Sequence, residues 1–347
     1  RMMIYFTSGT TGHPKGVIHD FSYPLSHIVT AKYWQRAYDG GLHFTLAESG
    51  WAKASWGKIY GQWLVGSAVM VHDFNNFDPK KLCDIINEYG VTGFCAPPTV
   101  YRYLLKKDMP DMPSLRTVTT AGEVMNEEIY QEFTARTGLT PLTGYGQTET
   151  SLQIANFEAD TSRLASMGKP SPMYDIFLLT EDGREAADNE EGEIVIRPSK
   201  DGGIPGVFTG YLNNDELYKK VWSGGVYHTG DSAYRDESGT FWFIGRLDDV
   251  IKTGGYRVGP YEIEEVLLRH PAVYECRITG VPDEQRGQAI KAAVVLNAGF
   301  TGSKQLDREL KEFVNSRLSE YKWLRIIEFV TSLPKTISGK IIRRKSK

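Results

Sequence analysis

The chain predicts an α/β protein with two domains, and three observations carry that expectation. From Met3 to about Arg246, short apolar runs alternate with stretches of helical periodicity, as layers of helix on sheet require. A loop rich in glycine and hydroxyl residues, Thr7–Gly16, follows directly on the apolar run Ile4-Tyr5-Phe6, so a strand feeds an anion-binding turn. After Gly245-Arg246-Leu247-Asp248-Asp249 the pattern changes to a compact α+β module of about 100 residues, an ordinary domain size. The expected division is 1–247, with a β-rich portion at about 165–247, and 248–347.

Each element has a local reason. Ile4-Tyr5-Phe6 reads as the end of a buried strand, and Val69-Met70-Val71 as another buried strand. Asp78 followed by Pro79 is an N-cap with proline at the first helical position, which opens a helix running to about Asn87. Gly93–Ala96 reads as a strand closed by Pro97-Pro98, and Ser114–Glu123 as a strand ending in a glycine turn. Gly192–Arg197 and Gly239–Ile244 are strands of the β-rich portion. In the small module Tyr261–Arg269 is a short helix and Ala292–Leu296 a strand. Lys304–Glu320 is an amphipathic helix with Leu306, Leu310, Phe313, Val314 and Leu318 on one face.

Composition narrows the function classes. With 41% hydrophobic and 24% charged residues in 347, the chain is long and apolar enough for packed cores. A net charge of -3 argues against a general nucleic-acid binder. Cys83, Cys95 and Cys276 form no C-x-x-C pair, which argues against a disulfide framework or zinc site and fits a reducing compartment. No run of 18 apolar residues occurs, so no membrane span is expected.

The chemistry starts in the loop. Glycines at Gly9, Gly12 and Gly16 let the backbone turn its N–H groups toward an anion, while Thr7, Ser8, Thr10 and Thr11 add hydroxyl donors. Lys15 supplies a point charge suited to phosphate. His13-Pro14 separates Gly12 from Lys15, so the spacing is not that of the P-loop NTPases. Thr143-Gly144-Tyr145-Gly146-Gln147-Thr148-Glu149 joins a glycine turn to an aromatic and a polar cluster, which suits nucleotide recognition. Downstream come Gly230-Asp231, Gly245-Arg246, Gly254-Gly255-Tyr256-Arg257, Arg286 and Pro334–Arg344. Taken singly, Glu149, Arg286 and Lys340 read as ordinary solvated surface charges.

Taken in order, these motifs resemble the adenylate-forming superfamily, which includes acyl-CoA synthetases, luciferases and peptide-synthetase adenylation domains. The resemblance covers essentially the whole chain and is strongest to the medium-chain acyl-CoA synthetases. It implies a large α/β domain, truncated here, followed by a small mobile domain that rotates about the hinge Asp248. A segment of about a third of a full chain is expected to precede Arg1, and no targeting signal is legible without it.

The resemblance also implies a reaction and its participants: an acid, ATP, Mg²⁺ and coenzyme A. Thr7–Lys15 would grip the β- and γ-phosphates. Ala121-Gly122-Glu123 and Thr143–Gln147 would line the adenine and α-phosphate, and Thr148 and Glu149 would support Mg²⁺. Asp231 and Arg246 would hold the ribose hydroxyls, a carboxylate accepting from vicinal hydroxyls and a guanidinium donating. Gly254, Gly255, Tyr256, Arg257 and Arg286 would serve coenzyme A. Lys340, in P-K-T-I-S-G-K, would neutralise charge between the acid carboxylate and the α-phosphate. Acetate-specific relatives place tryptophan where Gly146 stands. Gly146 and Trp51 therefore point to medium-chain, branched or aromatic acids.

Two departures touch the coenzyme A contacts. Trp323-Leu324-Arg325 stands in place of the usual Tyr-Pro-Arg, and Asn315 stands where medium-chain relatives have a basic residue. Alternatives stay open: an amino-acid or aryl-acid adenylation domain loading a carrier protein, a luciferase-like enzyme, or a truncated chain that binds nucleotide without turnover. A cytoplasmic location is expected, with the mitochondrial matrix an alternative. A lysine acetyltransferase acting on Lys340, and an oligomer, remain open as partners.

Overall fold

The computed structural model describes residues 1–7, 14–74, 77–106, 109–159, 163–199 and 204–335. Ser8, Gly9, Thr10, Thr11 and Lys340 lie outside the described residues. The chain divides into two units: Arg1–Gly9 with His13–Thr229 and Tyr234–Phe243, and Thr10–Gly12 with Gly230–Ala233 and Ile244–Lys347.

The first unit is built on a seven-stranded sheet in the order Ala68–Met70, Leu42–Thr45, Gly93–Ala96, Thr117–Ala121, Leu142–Tyr145, Ile154–Ala155, Lys169–Pro170. The first five strands are parallel and the last two pairings antiparallel. Central parallel strands are covered on both faces, so Gly93–Ala96 is buried at every position. Phe44, Phe94 and Val118 of the sheet meet Leu82, Ile86, Tyr101, Leu104 and Phe133 from the helices Pro79–Tyr89, Pro98–Leu105 and Glu127–Thr137. Asp78 caps the first helix as its sequence requires, its carboxylate accepting from the Lys80 N–H at 2.9 Å. The strand expected to be buried at 69–71 is instead an edge strand, Ala68–Met70, paired on one side only, and Val71 beyond it is exposed.

Two π-helical turns, Thr30–Trp34 and Ser55–Ile59, escape any reading by 3.6-residue periodicity. Each carries a tryptophan, Trp34 and Trp56, into the core behind the Leu142–Tyr145 strand. A hairpin, Met3–Thr7 with Lys15–His19, pairs Thr7 with Lys15 across residues 8–13, and Gly210–Tyr211 adds a third strand beside Lys15–His19. The β-rich portion orders Asp175–Leu179, Glu191–Arg197, Val226–Arg235 and Trp222–Ser223.

Three histidines of this unit are held neutral by burial, which lowers His19 to about 4 and His27 and His43 to about 3. The unfolded chain takes up these protons below about pH 6.5 and the folded chain does not, so stability falls as pH drops from 6.5 through 4. At pH 5 the loss is on the order of 2 kcal/mol per histidine. Urea midpoints at pH 7 and pH 5 should differ accordingly, and His27→Phe should flatten the dependence. Equal midpoints would contradict this.

The second unit carries a three-stranded sheet: Val273–Asp283 antiparallel to Gly287–Leu296, which lies parallel to Ile326–Phe329. Ile263, Val266 and Leu267 of Pro260–Leu268, and Leu306, Leu310 and Val314 of Lys304–Asn315, close its core. The second helix stops at Asn315 and not at Glu320, because Asn315 is used as a clamp. Its Oδ1 accepts from the Leu324 N–H at 2.8 Å, and its Nδ2 donates to the Leu324 carbonyl at 3.3 Å. Among the described residues no helix is long and apolar enough to cross a membrane.

Candidate active site

In the first unit the Lys15–His19 strand delivers Lys15 from the hairpin, its ammonium 5.9 Å from the Tyr211 ring centroid. Tyr211 is buried, and its hydroxyl donates to Glu149 Oε1 at 2.8 Å. The Thr148 carbonyl accepts from His19 Nε2 at 2.8 Å, and the Phe208 N–H donates to the Glu149 carbonyl at 2.7 Å. Thr148 and Glu149 are thus fastened to the same strand pair that carries Lys15.

The nucleotide-recognition segment is packed from behind. A Cβ on Gly144 would stand 2.4 Å from Trp34, and one on Gly146 would stand 2.5 Å from Trp56 and 2.6 Å from the Ser151 carbonyl. Both glycines are needed for these indoles. The room a glycine leaves at 146 is filled on this side by Trp56. The Trp34 Nε1–H also donates to the Leu142 carbonyl at 3.1 Å, which locks the first indole under the strand. Thr143 Oγ1 is hydrogen-bonded to the Tyr130 hydroxyl. The Tyr145 and Phe243 rings lie tilted to each other by 39°, with centroids 6.5 Å apart. The Gln147 amide is engaged within the unit, donating to the Thr229 carbonyl at 2.8 Å and accepting from the Tyr227 hydroxyl at 2.7 Å.

Gly122 and Glu123 follow the Thr117–Ala121 strand. The Lys53 ammonium donates to the Ala121 carbonyl and would lie 2.8 Å from a Cβ on Gly122. It also sits 6.0 Å from the Trp51 ring, so Trp51, Lys53 and Gly122 are gathered at the end of that strand. Thr99 Oγ1 reaches Glu123 Oε2 at 3.4 Å.

In the second unit, Asp231 and Arg246 meet as a pair at 3.3 Å, with Asp231 buried and Arg246 part-exposed. The Leu247 N–H donates to the Gly230 carbonyl at 2.9 Å, which draws the two motifs together. Asp248 stands in the turn directly after them. Gly254 and Gly255, at φ +58° and +85°, form the two-residue turn of the hairpin Ile251–Thr253/Tyr256–Val258. Positive φ at both centres is the type I′ requirement, so the turn itself explains the glycine pair. Arg257 pairs across the hairpin with Lys252.

A cavity of about 250 Å³ opens beside this hairpin, lined by Gly254, Tyr256, Arg286, Tyr321, Trp323 and Arg325 among others. Tyr256 and Tyr321 are stacked at 4.5 Å, and the Arg325 guanidinium lies 5.3 Å from the Trp323 ring. The Gly254 N–H donates to the Arg286 carbonyl at 2.9 Å. Aromatic faces beside guanidinium groups are suited to a nucleotide with phosphates. Sequence reasoning missed Tyr211, Lys53, Trp34 and Trp56. Trp56 had one usable signal, its position among the small residues Ala54-Ser55-Trp56-Gly57.

Comparison with known proteins identifies the family of the chain. Residues 2–212 match the AMP-binding enzyme family and residues 262–340 its C-terminal domain. The chain is 44% identical over 348 residues to 4-hydroxybutyrate–CoA ligase 1 of Metallosphaera sedula, covering 98% of this chain and 60% of the relative. It is 38% identical over 349 residues to human mitochondrial acyl-coenzyme A synthetase ACSM3, covering 99% and 59%. Among solved structures it superposes on the anthranilate CoA ligase AuaEII in complex with anthranoyl-AMP, with a TM-score of 0.86, 32% identity, and 98% and 65% of the two chains covered. A benzoate CoA ligase from Burkholderia xenovorans LB400 gives a TM-score of 0.84, 30% identity and coverage of 98% and 68%. The chain spans about 60% of the length of the curated relatives it matches. Two family models in sequence order, and relatives of this likeness across nearly every residue, place the chain in the AMP-binding enzyme family.

Proposed function

We propose that this chain is the ATP- and coenzyme A-binding portion of an AMP-forming carboxylate–CoA ligase. The observation that carries the reading is the cavity of the second unit, where Gly254, Tyr256 and Arg286 share one wall with Tyr321, Trp323 and Arg325. Of the five residues singled out in the sequence for coenzyme A, Gly254, Tyr256 and Arg286 line this cavity, whereas Gly255 and Arg257 do not.

A carboxylate is a poor electrophile at neutral pH. In the first half-reaction the acid's oxygen attacks the α-phosphorus of ATP, the Pα–O bond to the β-phosphate breaks, and pyrophosphate leaves with its electron pair. Lys15 and the hydroxyl-rich loop would steady the departing phosphates, and Lys340 the charge at the reacting centre. Asp231 and Arg246 would hold the ribose. Mg²⁺, arriving with ATP, offsets phosphate charge. The donor chemistry fits it: Glu149 offers a carboxylate oxygen, and a Mg²⁺ held mainly by phosphates needs only one or two such ligands from the protein. Among the described residues no three His, Cys, Asp or Glu converge on one point as a metal cage.

In the second half-reaction the coenzyme A thiolate attacks the acyl carbon and AMP leaves with the electron pair of the broken C–O bond. Rotation about Asp248 would exchange Lys340 for the Gly254–Arg257 face. Arg286 and Arg325 would take phosphates and the aromatic residues the base. Gly146 and Trp51 support an acid larger than acetate, medium-chain, branched or aromatic, with Trp56 occupying part of the room that Gly146 leaves. Relatives described as ligases of 4-hydroxybutyrate, benzoate and anthranilate support that range.

The test is a panel of acids from acetate to octanoate, with 4-hydroxybutyrate, benzoate and several amino acids, assayed for acyl-CoA by mass spectrometry. Acyl-CoA from medium-chain or aromatic acids is the expected product. Turnover of amino acids alone, without transfer to coenzyme A, would replace this reading with a carrier-loading adenylation domain.

A further inference from the structure

We propose that Tyr211 is a positioning residue that holds the Mg²⁺-supporting carboxylate of Glu149 and the phosphate-gripping ammonium of Lys15 in fixed relation. The proposal rests on the nucleotide-site reading above and adds a residue that no motif marked.

Five interactions within the first unit carry it. The Tyr211 hydroxyl donates to Glu149 Oε1 at 2.8 Å, and its ring lies 5.9 Å from Lys15 Nζ, so one buried side chain binds the carboxylate and lies within cation–π range of the ammonium. Its backbone is no less committed. Tyr211 pairs with Val17, and the Leu212 N–H donates to the Gly16 carbonyl at 2.7 Å. A Cβ on Gly16 would stand 2.9 Å from Leu212 Cβ, so the strands approach this closely only with glycine there. Three residues before Tyr211, the Phe208 N–H donates to the Glu149 carbonyl at 2.7 Å. The segment 208–212 is therefore fastened at one end to Glu149 and at the other to the strand that carries Lys15.

The chemistry follows from the pairing. A phenol that donates to a carboxylate fixes its rotamer and leaves its charge intact, which is how an outer hydrogen bond orients a metal ligand. Mg²⁺ demands near-ideal octahedral geometry, so a freely rotating Glu149 would support it poorly. An aromatic face under an ammonium group restrains the lysine without neutralising it. ATP bound with Mg²⁺ would engage both charges at once, and Tyr211 sets their separation beforehand.

Calorimetric titration of the chain with ATP, once with saturating Mg²⁺ and once with EDTA, tests this. Tyr211→Phe keeps the ring and deletes the donor. It should weaken ATP binding about tenfold in Mg²⁺ and leave binding in EDTA unchanged. Tyr211→Leu should weaken binding in both buffers. In a Glu149→Gln background, adding Tyr211→Phe should cost nothing further in Mg²⁺. Wild-type affinity for Tyr211→Phe in Mg²⁺, or equal weakening in both buffers, would overturn the proposal, a thermal melt confirming that the variant is folded. Failure of the wild-type chain to bind ATP in either buffer would overturn the nucleotide-site reading first and this proposal with it.

Discussion

Lys340→Ala is expected to lower acid-dependent pyrophosphate release by about a hundredfold to a thousandfold, the loss seen when one preorganised charge-stabilising donor is removed. The reason is specific to the first half-reaction. The carboxylate and the α-phosphate are both negative, and on the proposed reading Lys340 would offset the charge that the pentacovalent arrangement concentrates. Transfer of an acyl group from a preformed acyl adenylate to coenzyme A should survive the substitution, because the proposed rotation about Asp248 would withdraw the lysine for that step. Equal loss in both half-reactions would mean that Lys340 supports folding or binding in general. Chemical acetylation of Lys340 should mimic the alanine variant, since it deletes the same charge.

Gly146→Trp, which writes the acetate-type residue into this chain, should be severely disruptive by itself. A Cβ alone would come within 2.6 Å of both Trp56 and the Ser151 backbone, and backbone cannot move aside cheaply. Overpacking of this kind costs about 1–3 kcal/mol or more, and a whole indole exceeds a methyl many times over. Pairing it with Trp56→Gly removes the larger obstruction. The double variant should recover much of the melting temperature and shift preference toward short acids. Trp56→Gly alone should extend the acceptable acid by one or two methylenes. If Gly146→Trp were as stable as the parent, the packing of Trp56 against the segment 143–147 would be wrong.

What was legible in the sequence was what obeys local rules. Asp78-Pro79 announced its helix, the run Gly93–Ala96 its buried strand, and Gly230-Asp231 and Gly245-Arg246 their motifs, because capping, burial and turn chemistry act within a few residues. Asp231 and Arg246 meeting at 3.3 Å could be expected only from the order of motifs, since nothing in either dipeptide points at the other. The rest depended on long-range packing. Trp34 and Trp56 reach Gly144 and Gly146 through π-helical turns, whose 4.4-residue-like winding leaves no periodic signature. Val71 was misplaced because an edge strand and a central one share the same apolar letters, and only the sheet order separates them. Asn315, which marks a missing basic residue in the sequence, is a backbone clamp in the fold. The cavity's positive charge comes instead from Arg286 and from Arg325, whose guanidinium lies over the Trp323 ring.

The most direct test is exchange of labelled pyrophosphate into ATP, measured with and without an acid such as benzoate or 4-hydroxybutyrate and with no coenzyme A present. A reversible acyl adenylate requires exchange that depends on the acid, proceeds without coenzyme A and disappears in Lys340→Ala. Release of ADP and phosphate, or no exchange with any acid while ATP still binds, would contradict it and leave a chain that holds nucleotide without activating a carboxylate.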